Sequence, residues 1–417
     1  MSAYPNYKDS GIQWIGAIPS HWRLERAKFH FSERNERGNA TPTLLAATQK
    51  YGMYPQELVE GVVKVADGTD MQQFKTVHIG DFVISLRSFQ GGFERSDYEG
   101  VCSPAYQVFS ADNQWNTDYL KFLFKNELFV DSMNSLTVGI REGKNIKYSD
   151  FGNSILAIPP IEEQRIIADY LNKTVMHIDN IITEAKASIE EYNAWKTSII
   201  YEVVTKGLDP NVETKDSGIE WIGNIPSTWK IVRGKNILVL LDRPVKSTDE
   251  VITCFRDGEV TLRKNRREDG FTISLQEAGY QGVEPGDLVV HGMDGFAGAI
   301  GVSDSRGKAT PVLNVMDSSQ NKRFLMYYLR AAAYKDVFMS LSTGIRVRSC
   351  DLRWNKIAIF PFIIPPIEKQ NEIVNYIDSI LPTITAMVEE KEKLISDLES
   401  YKKSLIFEVV TGKRRVC

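Results

Sequence analysis

YKDSGIQWIGAIPSHWRL, residues Tyr7–Leu24, returns as TKDSGIEWIGNIPSTWKI, Thr214–Ile231, displaced by 207 residues and identical at 12 of 18 positions. Two further pairs keep that offset to within one residue. IPPIEEQRIIADYLN (Ile158–Asn172) recurs as IPPIEKQNEIVNYID (Ile364–Asp378), and TSIIYEVVT (Thr197–Thr205) recurs as KSLIFEVVT (Lys403–Thr411), each 206 residues on. One offset shared by three separate matches marks a tandem duplication. The chain is organised to do one thing twice.

Working outward from these repeats, each half opens with a mixed region rich in glycine, aromatics and short alternating runs. GDFVISL (Gly80–Leu86) and GDLVVHG (Gly286–Gly292) read as strands entered through a Gly-Asp turn. YLKFLF (Tyr119–Phe124) and FLMYYL (Phe324–Leu329) read as helices, so the modules are α+β.

Each half then closes with a long helix. Leu171, Val175, Ile178, Ile182, Ala185, Ile189, Tyr192, Lys196, Ile199 and Val203 step alternately by four and three. The second copy repeats the pattern from Ile377 to Val409, with Lys402 standing where the first has Lys196. A 3.5-residue period sustained over four heptads is a coiled-coil seam. Pro382 interrupts the second pattern, and a helix break or start is expected there.

Length then orients the pair. A continuous helix from Gln164 to Thr205 spans roughly 60 Å at about 1.5 Å per residue. A compact module of this size has a diameter of only roughly 40 Å. The second module cannot carry the chain back to the start of the first helix. The second helix is therefore expected to run antiparallel to the first, with a pseudo-two-fold axis between the halves. The expected boundaries are a module at 1–157, a spacer helix at 158–206, a second module at 207–363, and a second spacer helix with its tail at 364–417.

Composition is that of a soluble globular protein, 42% hydrophobic and 25% charged. No signal peptide and no apolar run near membrane-spanning length is found, and a cytoplasmic location is expected. Cys102, Cys254, Cys350 and Cys417 form no metal-ligand spacing and read as unpaired thiols. The net charge of −4 conceals an uneven distribution. Residues 162–206 carry 5 basic against 8 acidic side chains, residues 368–412 carry 5 against 9, and the rest of the chain is left at +3. The acid belongs to the helices, so the modules remain compatible with a polyanionic target.

Catalytic motifs are missing from the sequence. There is no GxxxxGK[ST], no GxSxG, and no metal spacing among the five histidines. Asp294–Gly301 (DGFAGAIG) is read as a strand-turn with glycines in tight positions. No cofactor and no metal are expected on the chain itself. Loops rich in Arg, Lys and Gln recur instead. They are RSFQGGFER (Arg87–Arg95), GIREGKNIK (Gly139–Lys147), RDGEVTLRKNRR (Arg256–Arg267) and GIRVRSCDLRWNK (Gly344–Lys356). Such side chains neutralise phosphates and read base edges. The framework pieces are nearly unchanged between halves, whereas Asn39–Thr76 and Thr248–Gly282 hardly match. One scaffold carrying two different surfaces suits two modules with different targets.

The combination of KDSGIxWIGxIPxxW with the IPPIExQ…I…Y helix start resembles the specificity subunits (HsdS) of Type I restriction-modification enzymes, from Tyr7 to about Lys413. The resemblance implies two target-recognition domains, each reading half of a bipartite, asymmetric DNA site, and two helices packed as an antiparallel spacer. It implies a non-catalytic chain that directs two methyltransferase subunits, which carry S-adenosylmethionine, and ATP- and Mg-dependent restriction subunits to that site. Candidate DNA-contacting residues are Arg87, Gln90, Arg141, Lys144 and Lys147 in the first module, and Arg346, Arg348, Arg353 and Lys356 in the second. Glu162, Gln164, Glu368 and Gln370 open the helices and are candidates for partner contact or for capping. The competing readings are a non-catalytic protein-binding adaptor, such as an anti-restriction decoy, and a stand-alone DNA-modifying enzyme.

Overall fold

A computed structural model describes residues 3–37, 43–59, 71–136, 146–266, 278–340 and 352–416. Two units emerge, one formed by Met1–Lys186 with Lys393–Cys417 and the other by Ala187–Glu392. Each combines one module with parts of both long helices, so the unit boundaries fall inside the helices rather than between the repeats.

The opening motif of the first unit is a hairpin, Tyr7–Asp9 paired with Ala17–Pro19. Its turn is tied locally. Asp9 accepts from the Gly11 N–H at 3.0 Å, and Ser10 Oγ accepts from the Ile12 N–H at 3.0 Å. That turn aims Ile15, Ile18 and Trp22 inward, where they join Leu405, Val409 and Val410 at the end of the second arm, Ile367–Val410. The WIGxIPxxW motif is therefore the socket for EVVT. Gly412 ends the arm with φ +70, and a Cβ there would stand 2.4 Å from Pro19 Cδ, so this turn needs glycine twice over.

The first module is built on a four-stranded antiparallel sheet in the order Phe31–Arg34, Gln107–Ala111, Phe82–Ile84, Glu94–Arg95. The helices Thr117–Lys125 and Glu127–Ser135 accompany it, capped by the side chains of Asn116 and Asn126. Phe31, Phe82, Phe93, Phe109, Phe124, Phe129 and Phe151 are all buried and meet mostly edge to face or tilted, as aromatic quadrupoles prefer, with Phe82 stacked on Phe109.

The second unit repeats the plan with a different core. Its hairpin pairs Thr214–Asp216 with Asn224–Pro226 and turns Ile222, Ile225 and Trp229 against Ile200, Val203 and Val204 at the end of the first arm, Ile161–Lys206. The sheet runs Val239–Leu240, Leu313–Asp317, Leu288–His291, Ile300–Val302. Helix Lys322–Tyr334 buries Tyr327, Tyr328 and Ala331–Ala333 where the first unit uses phenylalanines.

Within each unit the arms pack antiparallel, as the length argument requires. In the first unit Asp179 meets Lys402, while Glu163 and Gly412 both adjoin Trp22. In the second, Lys196 shares a cavity with Leu381 and Thr385, while Lys206 shares another with Tyr376. None of the twenty heptad positions is exposed. The break expected at Pro382 does not occur, because the second arm is continuous through it. Proline removes one backbone N–H, but Pro382 lies exposed while Ile377 and Ile384 on either side are buried and anchor both halves of the helix. Among the described residues no helix is long and apolar enough to cross a membrane. Cys102 and Cys254 are free, buried thiols, and burial pushes both up to about 12. Cys350 and Cys417 lie outside the described residues.

Candidate nucleic-acid interface

Strand Phe82–Ile84 leaves the first sheet into Leu86 and Arg87, which heads the one-turn helix Ser88–Gly91. The turn is closed by the Ser85 N–H donating to Ser88 Oγ at 2.8 Å, and Asn134 Nδ2 ties the Phe89 carbonyl at 2.8 Å. These bonds pin the backbone and leave Arg87 and Gln90 exposed. Lys147 is exposed at the head of helix Tyr148–Asn153. The next N–H, of Tyr148, donates to the Gln107 side chain, and Gln107 stands opposite Ile84 in the sheet. Arg87 and Lys147 thus emerge at the same end of one sheet.

The second module repeats this junction with different side chains. Strand Leu288–His291 leaves into Gly292, Met293 and Asp294, and the Leu352 N–H donates to the Gly292 carbonyl at 2.8 Å. Arg353 follows at once, exposed at the head of helix Trp354–Ile359, with Lys356 half-buried in its first turn. Lys147 and Arg353 are exact counterparts at the 206-residue offset, each a cation at a short helix's N-cap beside a strand exit. Arg87 has Met293 as its counterpart, so the frame persists while its chemistry changes.

Two side-chain groups at these ends escaped the sequence argument. In the first module the hairpin Leu45–Thr48/Gly52–Pro55 brings Gln49 against Gly91, and Lys50 sits over the Tyr51 ring at 4.8 Å. In the second, Arg256 donates to Asp294 Oδ1 at 2.8 Å while remaining 61% exposed. The dense basic run at Arg256–Arg267 was the available signal for Arg256; nothing local marks Gln49 and Lys50. Burial holds the His291 imidazole below its usual range, Asp294 opposing, and its Nδ1 accepts from the Met293 and Asp294 N–H groups at 3.2 and 2.9 Å. Behind Gln49, burial raises the Glu94 carboxyl to about 7, although Lys125 Nζ donates to it at 2.5 Å.

The remaining candidates divide. Arg141, Lys144, Arg346 and Arg348 lie outside the described residues. Glu162 and Glu368 are exposed on the first turns of the arms. Gln164 and Gln370 are fully buried, so their side chains present no surface to a partner. Gln164 Oε1 accepts from the Asn116 N–H at 2.8 Å, and its Nε2 donates to the Gln114 and Pro159 carbonyls at 2.9 Å each. Gln370 repeats this toward Asn321, Gln320 and Pro365 at 2.9, 2.7 and 2.9 Å. Both glutamines clamp an arm to the capping residue of a module helix. Glu163, between the two first-arm candidates, is also buried, accepting from Tyr4 Oη and from Trp22 Nε1 at 3.1 Å, with His21 Nε2 at 2.8 Å. Among the described residues no group of three or more His, Cys, Asp or Glu side chains is placed to hold a metal.

Comparison with known proteins agrees with this picture. Residues 28–191 match the family model described as the Type I restriction modification DNA specificity domain. Over 300 residues, covering 66% of each chain, the sequence is 26% identical to the Type I restriction enzyme MjaVIII specificity subunit of Methanocaldococcus jannaschii. Over 274 residues it is 24% identical to that organism's putative MjaX specificity subunit, covering 63% of this chain and 59% of the relative. The alignments thus span about two-thirds or less of these relatives' lengths. Among solved structures, a chain of a type I R-M system superposes with TM-score 0.67 at 14% identity, covering 94% of this chain and 98% of that one. The HsdS subunit from Thermoanaerobacter tengcongensis superposes with TM-score 0.52 at 15% identity, covering 95% and 98%. The first module thus carries a match to the Type I restriction modification DNA specificity domain, the sequence is similar over about two-thirds of its length to specificity subunits of Type I restriction enzymes, and its fold is shared over nearly the whole chain with solved structures that include an HsdS subunit.

Proposed function

We propose that this chain is the DNA-reading subunit of a Type I restriction-modification enzyme, itself non-catalytic, which selects where other subunits act. The observation that carries the reading is the duplicated strand-exit junction, with Lys147 and Arg353 as equivalent exposed cations on frames that otherwise carry different side chains. A cation at a short helix's N-cap beside a loop is suited to hold a backbone phosphate, while the neighbouring loop side chains select base edges. Two such readers on one chain recognise a bipartite, asymmetric duplex site. Binding by one raises the effective concentration of the other, so both half-sites are required for tight binding. Arg87, Gln90 and Lys147 serve the first half-site, Arg353, Lys356 and Arg256 the second, and Arg141, Lys144, Arg346 and Arg348 complete the set.

In this reading two methyltransferase subunits dock on the chain, with exposed Glu162 and Glu368 in their footprint. They supply S-adenosylmethionine and flip the target base, and restriction subunits supply ATP- and Mg-dependent cleavage, all in the cytoplasm. Binding of the chain, purified with its methyltransferase, to a randomised duplex library tests the proposal. The expected result is one split sequence family with strongly salt-dependent affinity. Uniform weak binding across the library would favour the protein-binding adaptor instead.

A further inference from the structure

The duplication supplies an internal control along the arms, where one ion pair of the first unit is not repeated in the second. In the first unit Lys402 donates to Asp179 Oδ1 at 2.6 Å. In the second unit the equivalent lysine is Lys196, but the position equivalent to Asp179 is Thr385. Lys196 is half-buried, and its ammonium is held below the usual lysine range by burial, with the charge of Arg330 acting in the same sense. Arg330 is itself only 8% exposed, and its hydrogen bonds, from Nε at 2.9 Å and Nη2 at 2.6 Å, both go to the Tyr334 hydroxyl.

Among the described residues neither cation has a carboxylate within ion-pairing distance. Both line one cavity of about 420 Å3 inside the second unit, with Thr385 on its wall. The other charges on that wall have partners of their own, ion pairs for Asp257, Glu259 and Arg323 and a neutral hydroxyl for Asp304. Asp257 and Glu259 are held by Arg266 at 2.5 and 3.2 Å, Arg323 donates to Asp378 at 2.7 Å, and Asp304 accepts from Ser305 Oγ at 2.6 Å. Gly258 makes room for the Arg330 guanidinium. Its φ is +94, and a Cβ there would fall 1.6 Å from Arg330 Nη1. Asp257 acts on both cations from beyond pairing distance, and two cations withdrawn from water with no ion-pair partner of their own are costly unless an anion arrives to pair with them.

We propose that this cavity binds a phosphate oxyanion, with Lys196 as a point charge and the free edge of Arg330 as hydrogen-bond donor. Thr385 takes the place of the carboxylate that would otherwise neutralise the site. The phosphate comes either from a DNA backbone or from free phosphate in solution.

Titration calorimetry of the full chain with inorganic phosphate, at constant ionic strength against chloride, tests this. Saturable one-to-one binding is expected. Thr385→Asp, an exposed helix position, restores the carboxylate of the first unit and should weaken binding at least tenfold without lowering Tm in chloride. Lys196→Met should weaken it by a similar factor. No saturable binding, or equal binding by all three proteins, overturns the proposal. The two sources separate in duplex binding, an arm that rests on the DNA-reading function proposed above. If backbone phosphate is the occupant, either substitution lowers the slope of log affinity against log salt by about 1 with sequence preference unchanged. If that slope stays constant while phosphate binding is lost, free phosphate is the occupant. The phosphate titration contains no DNA, so its failure is distinct from failure of the DNA-reading function.

Discussion

Single residues of the IPPIExQ motif divide their work within two positions. Gln164 satisfies three backbone groups in the interior, whereas Glu162, two residues earlier, faces solvent beside Arg165. Gln164→Ala is expected to destabilise the first unit by about 1–3 kcal/mol, because buried backbone groups lose their partners. Glu162→Ala should change stability by less than about 0.5 kcal/mol, the usual range for surface substitutions. Denaturant unfolding of the two variants checks both. Glu94 supplies the pH dependence. Its folded carboxyl titrates near 7 against 4.5 for the free group, so between those values the folded state holds the proton that the unfolded chain has released. This residue's contribution to stability therefore falls as pH rises from 4.5 to about 7 and levels above it. Glu94→Gln should flatten that part of the stability–pH curve, which unfolding midpoints across the range would show.

Among elements, the second arm tests how far local rules reach. Pro382 stands inside a continuous helix, where proline is about 3 kcal/mol worse than alanine in an exposed interior position. Pro382→Ala should raise stability by about 1–3 kcal/mol, measured by unfolding, with helix content unchanged or slightly higher by circular dichroism. Loss of stability would mean that the proline ring packs usefully against a neighbour. The arms were legible because a 3.5-residue period is written in residues three and four apart. The survival of the helix at Pro382 was not, since it depends on Ile377 and Ile384 being buried against other parts of the unit.

For the whole molecule, the boundaries between units fall at Lys186–Ala187 and Glu392–Lys393, inside the arms and 206 residues apart. One heptad inserted after Ala185 and another after Lys391 would lengthen each helix by about 10 Å, at about 1.5 Å per residue, while keeping the seam in register. The expected outcome is a recognised sequence whose two halves are unchanged and whose central gap is longer. Methylation mapping of a genome expressing the variant with its partner checks it. A change in the half-sites themselves would sink the division between reading modules and spacer arms.

The amino-acid order alone determined the duplication, the alternation of mixed modules with long helices, and the heptad seam. All three are recorded as offsets or periods between residues of one chain, with no need of a third dimension. Only the tertiary structure decided that Gln164 and Gln370 are internal clamps, that Lys147 and Arg353 sit beside strand exits, and that Lys196 and Arg330 share a cavity. Gln164 finds the Asn116 N–H 48 residues away, and Lys196 shares its cavity with Arg330, far more distant in sequence. Whether a polar side chain is spent inside the protein or left for a ligand depends on partners that folding brings from such distances, and neither local spacing nor residue type encodes that.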